Sequence, residues 1–412
     1  MAATVEQIKI KDIEVPLIYE EDKRLPLVSM QLTFTNSGSI ADTKKAGVAK
    51  ISAKVMNEGT SALGASAFAT ELESRAINIS ATTGTETFVI ELSCLKEEFA
   101  QGLTYLSALL KDPNLTKEVV EKVKTMTKGS LSRKENDFDY TASNELKSLL
   151  FGKSVLGQPS SGTLKSVESI SLEDVKEFLG EHLVSSRVIV TLGGDVDIAE
   201  AKKNIAEVVS VLNVGKSESV THYDTLKKPQ TSILKRETEQ AYLYFGSPYN
   251  LKSDDKDYYK ARVATFILGT GGFGSRLMEE IRVKRGLAYS AYARVHVAKS
   301  SSYFSGYLQT KIESQDEARK SVEEVIAKFV KNGVTKEELE QTKKFILGSE
   351  PLRVETMSQR LNRTFMEFYK DKKLGSSAKE LKKIESLKLK DLNAFIKQHS
   401  EIKELSYSIV TK

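Results

Sequence analysis

Residues 274–290, GSRLMEEIRVKRGLAYS, set Arg282 and Tyr289 seven residues apart across a helix-to-strand corner. Residues 274–284 read as a helix, and from Ala288 the chain alternates as a strand over 288–297 and a hairpin partner over 302–309. Gly286 supplies the turn, because glycine accepts the left-handed backbone with which helices stop. Just upstream, residues 269–274 read GTGGFG. A phosphate loop would follow a strand and end in Gly-Lys-Ser/Thr; this segment follows a helix and lacks that ending, so it does not read as a phosphate site.

Working outward, the order of elements around this corner is found twice. In the second half it runs strand 240–246, helix 258–268, helix 274–284, hairpin, helix 314–332 and helix 335–345. The first half offers strand 27–35, helix 46–56, helix 65–75, a hairpin of 77–81 with 87–94, helix 97–110 and helix 116–131. LTKEVVEKVK at Leu115 parallels VTKEELEQTK at Val334, each with a threonine in capping position; Glu338 completes a capping box with Thr335. Each half closes with a helix and a strand: 171–179 then 188–192, with Ser171 and Asp174 as a capping box, and 389–399 then 405–410. A repeat of roughly 200 residues describes tandem domains, not a solenoid. The predicted division is an N-terminal domain over 1–212, a polar linker over 213–229 ending at Pro229, and a C-terminal domain over 230–412. Strands grouped beside helices in each half argue an α+β class: two homologous tandem α/β-sandwich domains, each a mixed or antiparallel sheet packed against helices.

Composition narrows the function classes. The chain has 412 residues, 40% hydrophobic and 28% charged, with a net charge of +5. Lysines and acids are interspersed, which describes a solvated surface and not a nucleic-acid interface. No run approaches the ~18 apolar residues of a membrane span. The single cysteine, Cys94, lies in the alternating stretch VIELSCL and reads as a buried structural thiol. The start, Met-Ala-Ala-Thr, suits either a cytoplasmic protein or a mature exported chain behind an initiator methionine; the periplasm is the expected location and the cytoplasm the alternative.

The corner, with its flanks, resembles the second-half motif of the pitrilysin-like zinc peptidases, the inverzincins, and more narrowly their short processing-peptidase type. Asn36–Gly47 (NSGSIADTKKAG), residues 157–178 (GQPSSGTLKSVESISLEDVKEF) and residues 193–197 (GGDVD) are similar to further family segments in the same order, so the resemblance spans nearly the whole chain. It implies a clam-shell of the two domains around a chamber. It implies that Arg282 and Tyr289 grip the substrate near the scissile carbonyl. It also makes the 269–274 segment a loop between two helices near that corner, with Gly271, Gly272 and Phe273 as substrate-contacting candidates. The residues alone leave a second reading open, in which Arg282 is a helix-surface arginine paired to Glu279 or Glu280 and Tyr289 an ordinary strand aromatic.

The same resemblance exposes a gap. Active relatives place His-x-x-Glu-His on the first long helix, so that two histidines one turn apart reach one zinc and the glutamate activates the bound water. Anchored on Gly47 and on NEGT at 57–60, the motif positions here are Lys50, Ile51, Ser52, Ala53 and Lys54. Lys50 and Lys54 stand for the ligands and Ala53 for the base; protonated lysines repel Zn²⁺. The region expected to bring the third ligand, 122–134, has no glutamate, and the four histidines show no metal-ligand spacing. The resemblance therefore implies the non-zinc subunit of a heterodimeric zinc metallopeptidase. Zinc would sit in a homologous His-x-x-Glu-His partner, Arg282 and Tyr289 would act in trans, and extended peptides would be the substrates. A homodimer is the assembly considered for the isolated chain. The alternative reading is a peptide-binding or structural scaffold subunit with no catalytic part; Lys50 and Lys54 are read as a solvated helix face, with attraction of acidic peptide segments as the functional variant.

Overall fold

Alternating burial writes the sheets. Val28, Met30, Leu32 and Phe34 are buried together on one strand, and Phe88, Ile90, Leu92 and Cys94 on its neighbour, as period-two side-chain placement requires. Cys94 is buried, as its strand context predicts. The computed structural model describes residues 3–412 and divides into two compact units, each an α+β body with its own sheet and apolar core.

The first sheet contains β1 (Thr4–Ile10), β2 (Ile13–Glu21), β3 (Leu27–Thr35), β4 (Asn78–Thr83), β5 (Thr87–Leu95) and β6 (Val188–Gly194), in the order β1-β2-β6-β3-β5-β4. The second contains β7 (Thr231–Lys235), β8 (Gln240–Pro248), β9 (Ala288–Val297), β10 (Ser302–Lys311) and β11 (Ser406–Thr411), in the order β7-β11-β8-β10-β9. Five strands of the first correspond in order and pairing sense to the second: β2-β6-β3-β5-β4 against β7-β11-β8-β10-β9. The parallel pair falls at the same place in each, β2 with β6 and β7 with β11, while the other pairings are antiparallel. This is the duplication read from the sequence, and both sheets are mixed. The predicted capping boxes of Ser171 with Asp174 and Thr335 with Glu338 are formed.

Chain order and domain membership differ at two segments. Arg133–Gln158 groups with the second unit and Arg353–Met366 with the first, so each half lends a segment to the other unit and the linear 1–212/230–412 division does not describe the bodies. Packing is the cause. Helix Phe138–Phe151 buries Ala142, Leu146, Leu150 and Phe151. Gly246 of β8 leaves room for Leu146 and Leu150, and the helix's end aromatics pack on Tyr242 and Tyr303. Reciprocally, Met357 and Leu361 close on Gly193 of β6, where any Cβ would collide with them.

In the first unit the His182 ring packs at a tilt against Phe178 with centroids 4.5 Å apart and stands 3.0 Å from an Arg187 nitrogen. Burial and the Arg187 charge push its pKa down to about 4. The fold therefore holds it neutral. Its contribution to stability is present above the unfolded histidine range near 6.5 and is lost as pH falls toward 4. Urea midpoints measured across that window should fall with acid, and His182→Gln should flatten that part of the profile; an unchanged slope would exclude His182 as its source.

Candidate functional site

Two π-helical turns frame the glycine-rich loop. The helix beginning at Tyr258 is α-helical to Thr265 and continues as π-helix over Phe266–Thr270; after a 3-10 turn at Gly272–Gly274 the next helix winds as π-helix over Met278–Lys284. The expected helices at 258–268 and 274–284 are thus present but widened, a distortion that recurs at functional sites and that no sequence period signals. Gly286 ends the second at φ 62°, its N–H donating to the Arg282 carbonyl at 3.1 Å while Leu287 N–H donates to Ile281 at 2.9 Å. That is the left-handed glycine stop predicted for this position.

Tyr289 is aimed by a β-bulge. Ala291 pairs with Leu308 and Ala288 with Thr310, so Tyr289 and Ser290 together oppose the single residue Gln309. A bulge adds a residue to one strand and redirects its side chains. Tyr289 ends 81% exposed on edge strand β9.

The structure brings the predicted residues of the second unit together. The Arg282 guanidinium carbon lies 4.3 Å from the Tyr289 ring centroid and 4.6 Å from that of Phe273. Phe273, itself 65% exposed, is the tip of the glycine-rich loop. Gly271 packs its backbone against the Phe266 ring, so a Cβ there would crowd, and Gly272 adopts φ 61° with open space around it. The loop's glycines thus allow the turn that delivers Phe273 to Arg282.

The alternative pairing of Arg282 with a helix acid is not found. Glu280 is taken by Arg285 and Lys284, Arg285 also binds Glu324, and Arg276 binds Glu338. Arg282 forms no ion pair among the described residues; its charge is held between two rings instead, a cation–π arrangement. Its N–H donors and the Tyr289 hydroxyl carry no hydrogen-bond partner among the described residues. Such a pair of donors is chemically suited to hold a peptide carbonyl or a developing oxyanion.

The positions of the missing zinc motif form a different environment in the first unit. They lie on helix Val48–Met56, whose start is capped by Asp42: its carboxylate oxygens accept from Gly47 N–H and Ala49 N–H at 2.8 Å each. Lys50 Nζ donates to Ser161 Oγ at 2.9 Å and Lys54 Nζ to Thr127 Oγ1 at 2.6 Å, while Ala53 is buried. Both lysines are half-buried and so differ from the solvated face expected of them. Thr127 belongs to helix Lys117–Lys134, so the helix expected to bring the third ligand does meet the first, but through a hydroxyl. Ammonium groups that donate to hydroxyls present no lone pair to a cation, so these residues do not fit zinc. Among the described residues no group of three or more His, Cys, Asp or Glu side chains is placed to hold a metal ion. No helix among them is long and apolar enough to cross a membrane.

Sequence reasoning missed the contribution of Gln309, which faces the bulge and donates to Asp139 Oδ2 at 2.7 Å. Asp139 also accepts from the Tyr244 hydroxyl at 2.9 Å, and Tyr244 stacks on Tyr307. Only tertiary pairing places a residue of helix Phe138–Phe151 beside β10.

Two family models match the chain. Residues 17–163 match "Insulinase (Peptidase family M16)", and residues 169–346, which contain Arg282 and Tyr289, match "Peptidase M16 inactive domain". The non-peptidase homologue YmxG of Helicobacter pylori is 42% identical over 410 residues, covering 100% of this chain and 95% of that one. The crystal structure of a peptidase M16 inactive domain from Pseudomonas fluorescens superposes with a TM-score of 0.91 at 23% identity, covering 99% of this chain and 97% of that one. A protease from Helicobacter pylori superposes with a TM-score of 0.85 at 14% identity over the full length of both chains.

Proposed function

This chain belongs to the M16 peptidase family, and from that premise we propose that it is the zinc-less subunit of a heterodimeric metallopeptidase. It binds extended peptides and lends Arg282 and Tyr289 to the zinc site of a homologous His-x-x-Glu-His partner. One observation carries the reading: Arg282 is held between Phe273 and Tyr289 with no acid partner, while its basic neighbours on the same helix are all paired to glutamates. A guanidinium kept for structure alone would be expected to take Glu279 or Glu280. The lysines at the zinc positions support the reading, because they leave this chain without metal ligands there.

A further support comes from the relatives. Helicobacter pylori carries a chain named a non-peptidase homologue, 42% identical to this one, and a protease of the same fold that is only 14% identical. A chain named a non-peptidase and a chain named a protease thus share this fold in one organism, which is compatible with a divided enzyme. A periplasmic location is part of the same proposal, and fractionation of cells checks it.

The test is a peptidase assay on a quenched peptide library with added Zn²⁺, using this chain alone, the partner alone and the mixture. Hydrolysis is expected only in the mixture, with a heterodimer in size-exclusion chromatography. Hydrolysis by this chain alone refutes the division of labour; a heterodimer whose turnover ignores Arg282 and Tyr289 would establish the scaffold role instead.

A further inference from the structure

The second unit holds a pair of cations that the proposed chemistry does not use. Arg294 lies on β9, on the sheet face that also carries Tyr292, since Arg294 pairs with Ser305 and Tyr292 with Tyr307. Its Nε donates to His296 Nε2 at 3.0 Å. That imidazole is fixed in turn: it stacks on Tyr303 at 4.2 Å with 6° between the planes and meets Ser305 Oγ at 2.8 Å. With Nε committed to histidine, the two terminal nitrogens of the guanidinium remain as a fork, and Arg294 forms no ion pair among the described residues.

Lys147 approaches the same face from helix Phe138–Phe151. It stands four residues, one helical turn, before Phe151, whose ring packs on Tyr303 at 5.3 Å. It too has no carboxylate within ion-pair distance among the described residues. Burial and the Arg294 charge hold the Lys147 ammonium below the usual lysine range, and burial with both cations pushes His296 down to about 3. The histidine is therefore a neutral support. Arg294 is exposed and Lys147 half-buried; like charges directed at one sheet face gain from an anion placed between them. An arginine fork beside an ammonium suits a carboxylate, which accepts two parallel N–H bonds.

We propose that Lys147 and Arg294 form a carboxylate-binding site, which takes an Asp or Glu side chain or the C-terminus of the bound peptide. The site rests on the peptide-binding reading above. Arg294 follows Tyr289 by five residues on the same edge strand, so at a rise of about 3.3 Å per residue the two are roughly 15 Å apart. An extended peptide running along β9 spans that distance with four to five residues, about as far as strand addition carries register. The carboxylate is thus held several residues from the bond that Arg282 and Tyr289 grip, and it fixes the peptide's register along the strand.

Binding of short fluorescent peptides to this chain, and separately their cleavage by the reconstituted pair, tests the site. Peptides differ in a single Glu or Gln, and each is made as a C-terminal acid and as an amide. Lys147→Gln and Arg294→Gln are each expected to weaken Glu peptides by about tenfold and leave Gln amides unchanged. Loss confined to the acid-ended set identifies the C-terminus as the ligand, and loss confined to Glu identifies the side chain. Arg294→Glu, with an unaltered melting profile, should reverse the preference toward a Lys peptide. Equal binding of charged and neutral peptides by the unmodified chain, equal weakening of both by the variants, or no peptide binding by the folded chain overturns the proposal. Cleavage without charge preference removes this site and leaves the split-enzyme reading intact, whereas charge-selective binding without cleavage does the opposite.

Discussion

Tyr289→Phe in this chain, assayed in the reconstituted pair, is expected to lower kcat by about 10²–10³-fold, the usual effect of removing one oxyanion donor. Arg282→Ala should lower kcat/KM by about 10²-fold, because a charged donor to the substrate is lost. Neither change should disturb folding. Tyr289 is 81% exposed, and Arg282 makes only ring contacts and no ion pair among the described residues, so nothing buried loses its partner. The measurement is steady-state turnover at fixed heterodimer concentration, with dimerisation followed by size-exclusion chromatography. Retained turnover in both variants with an intact heterodimer would remove the chain from the chemistry and leave it as scaffold. Loss of dimerisation would instead make the corner an assembly contact.

The second large effect concerns stability. Arg360, from the segment that the C-terminal half lends to the first unit, grips Glu20 through Nε at 2.9 Å and Nη2 at 2.6 Å, and donates to the Val354 and Glu355 carbonyls. The Glu20 side chain is only 4% exposed and that of Arg360 19%. Removing Arg360 leaves the buried Glu20 carboxylate without an ion-pair partner among the described residues, so Arg360→Ala should destabilise the first unit by about 3–5 kcal/mol. The paired change Glu20→Leu with Arg360→Met should recover most of that loss, because neither charge is then left buried. Urea unfolding followed by a probe in the first unit reads both. A loss below about 1 kcal/mol would show that the pair is solvated and behaves as a surface bridge.

Arg282, Tyr289 and Phe273 are singled out in the sequence by the family resemblance of the corner and its upstream loop. Their mutual arrangement is not. Whether Arg282 pairs with Glu280 or stacks on aromatics depends on which arginine reaches that glutamate first, and Arg285 does so through a helix end rewound by π turns. The bulge that aims Tyr289 is likewise invisible in a string of residues, since it is defined by the strand opposite. At the zinc positions the sequence showed that the ligands are replaced, while their hydroxyl partners, Ser161 and Thr127, lie 111 and 73 residues away.

By itself the sequence determined the fold class, the duplication and the loss of the metal ligands. Alternation, helix caps and turn glycines act over a few residues, and a repeated order of such local signals survives in the chain as written. Only the tertiary structure decided which helix covers which sheet. Helix Phe138–Phe151 and residues 353–366 each joined the unit that chain order would not give them. An apolar stripe specifies that it must be buried but not against what; the choice is made by shape, at Gly246 and Gly193, where the absence of a side chain leaves room for the incoming leucines.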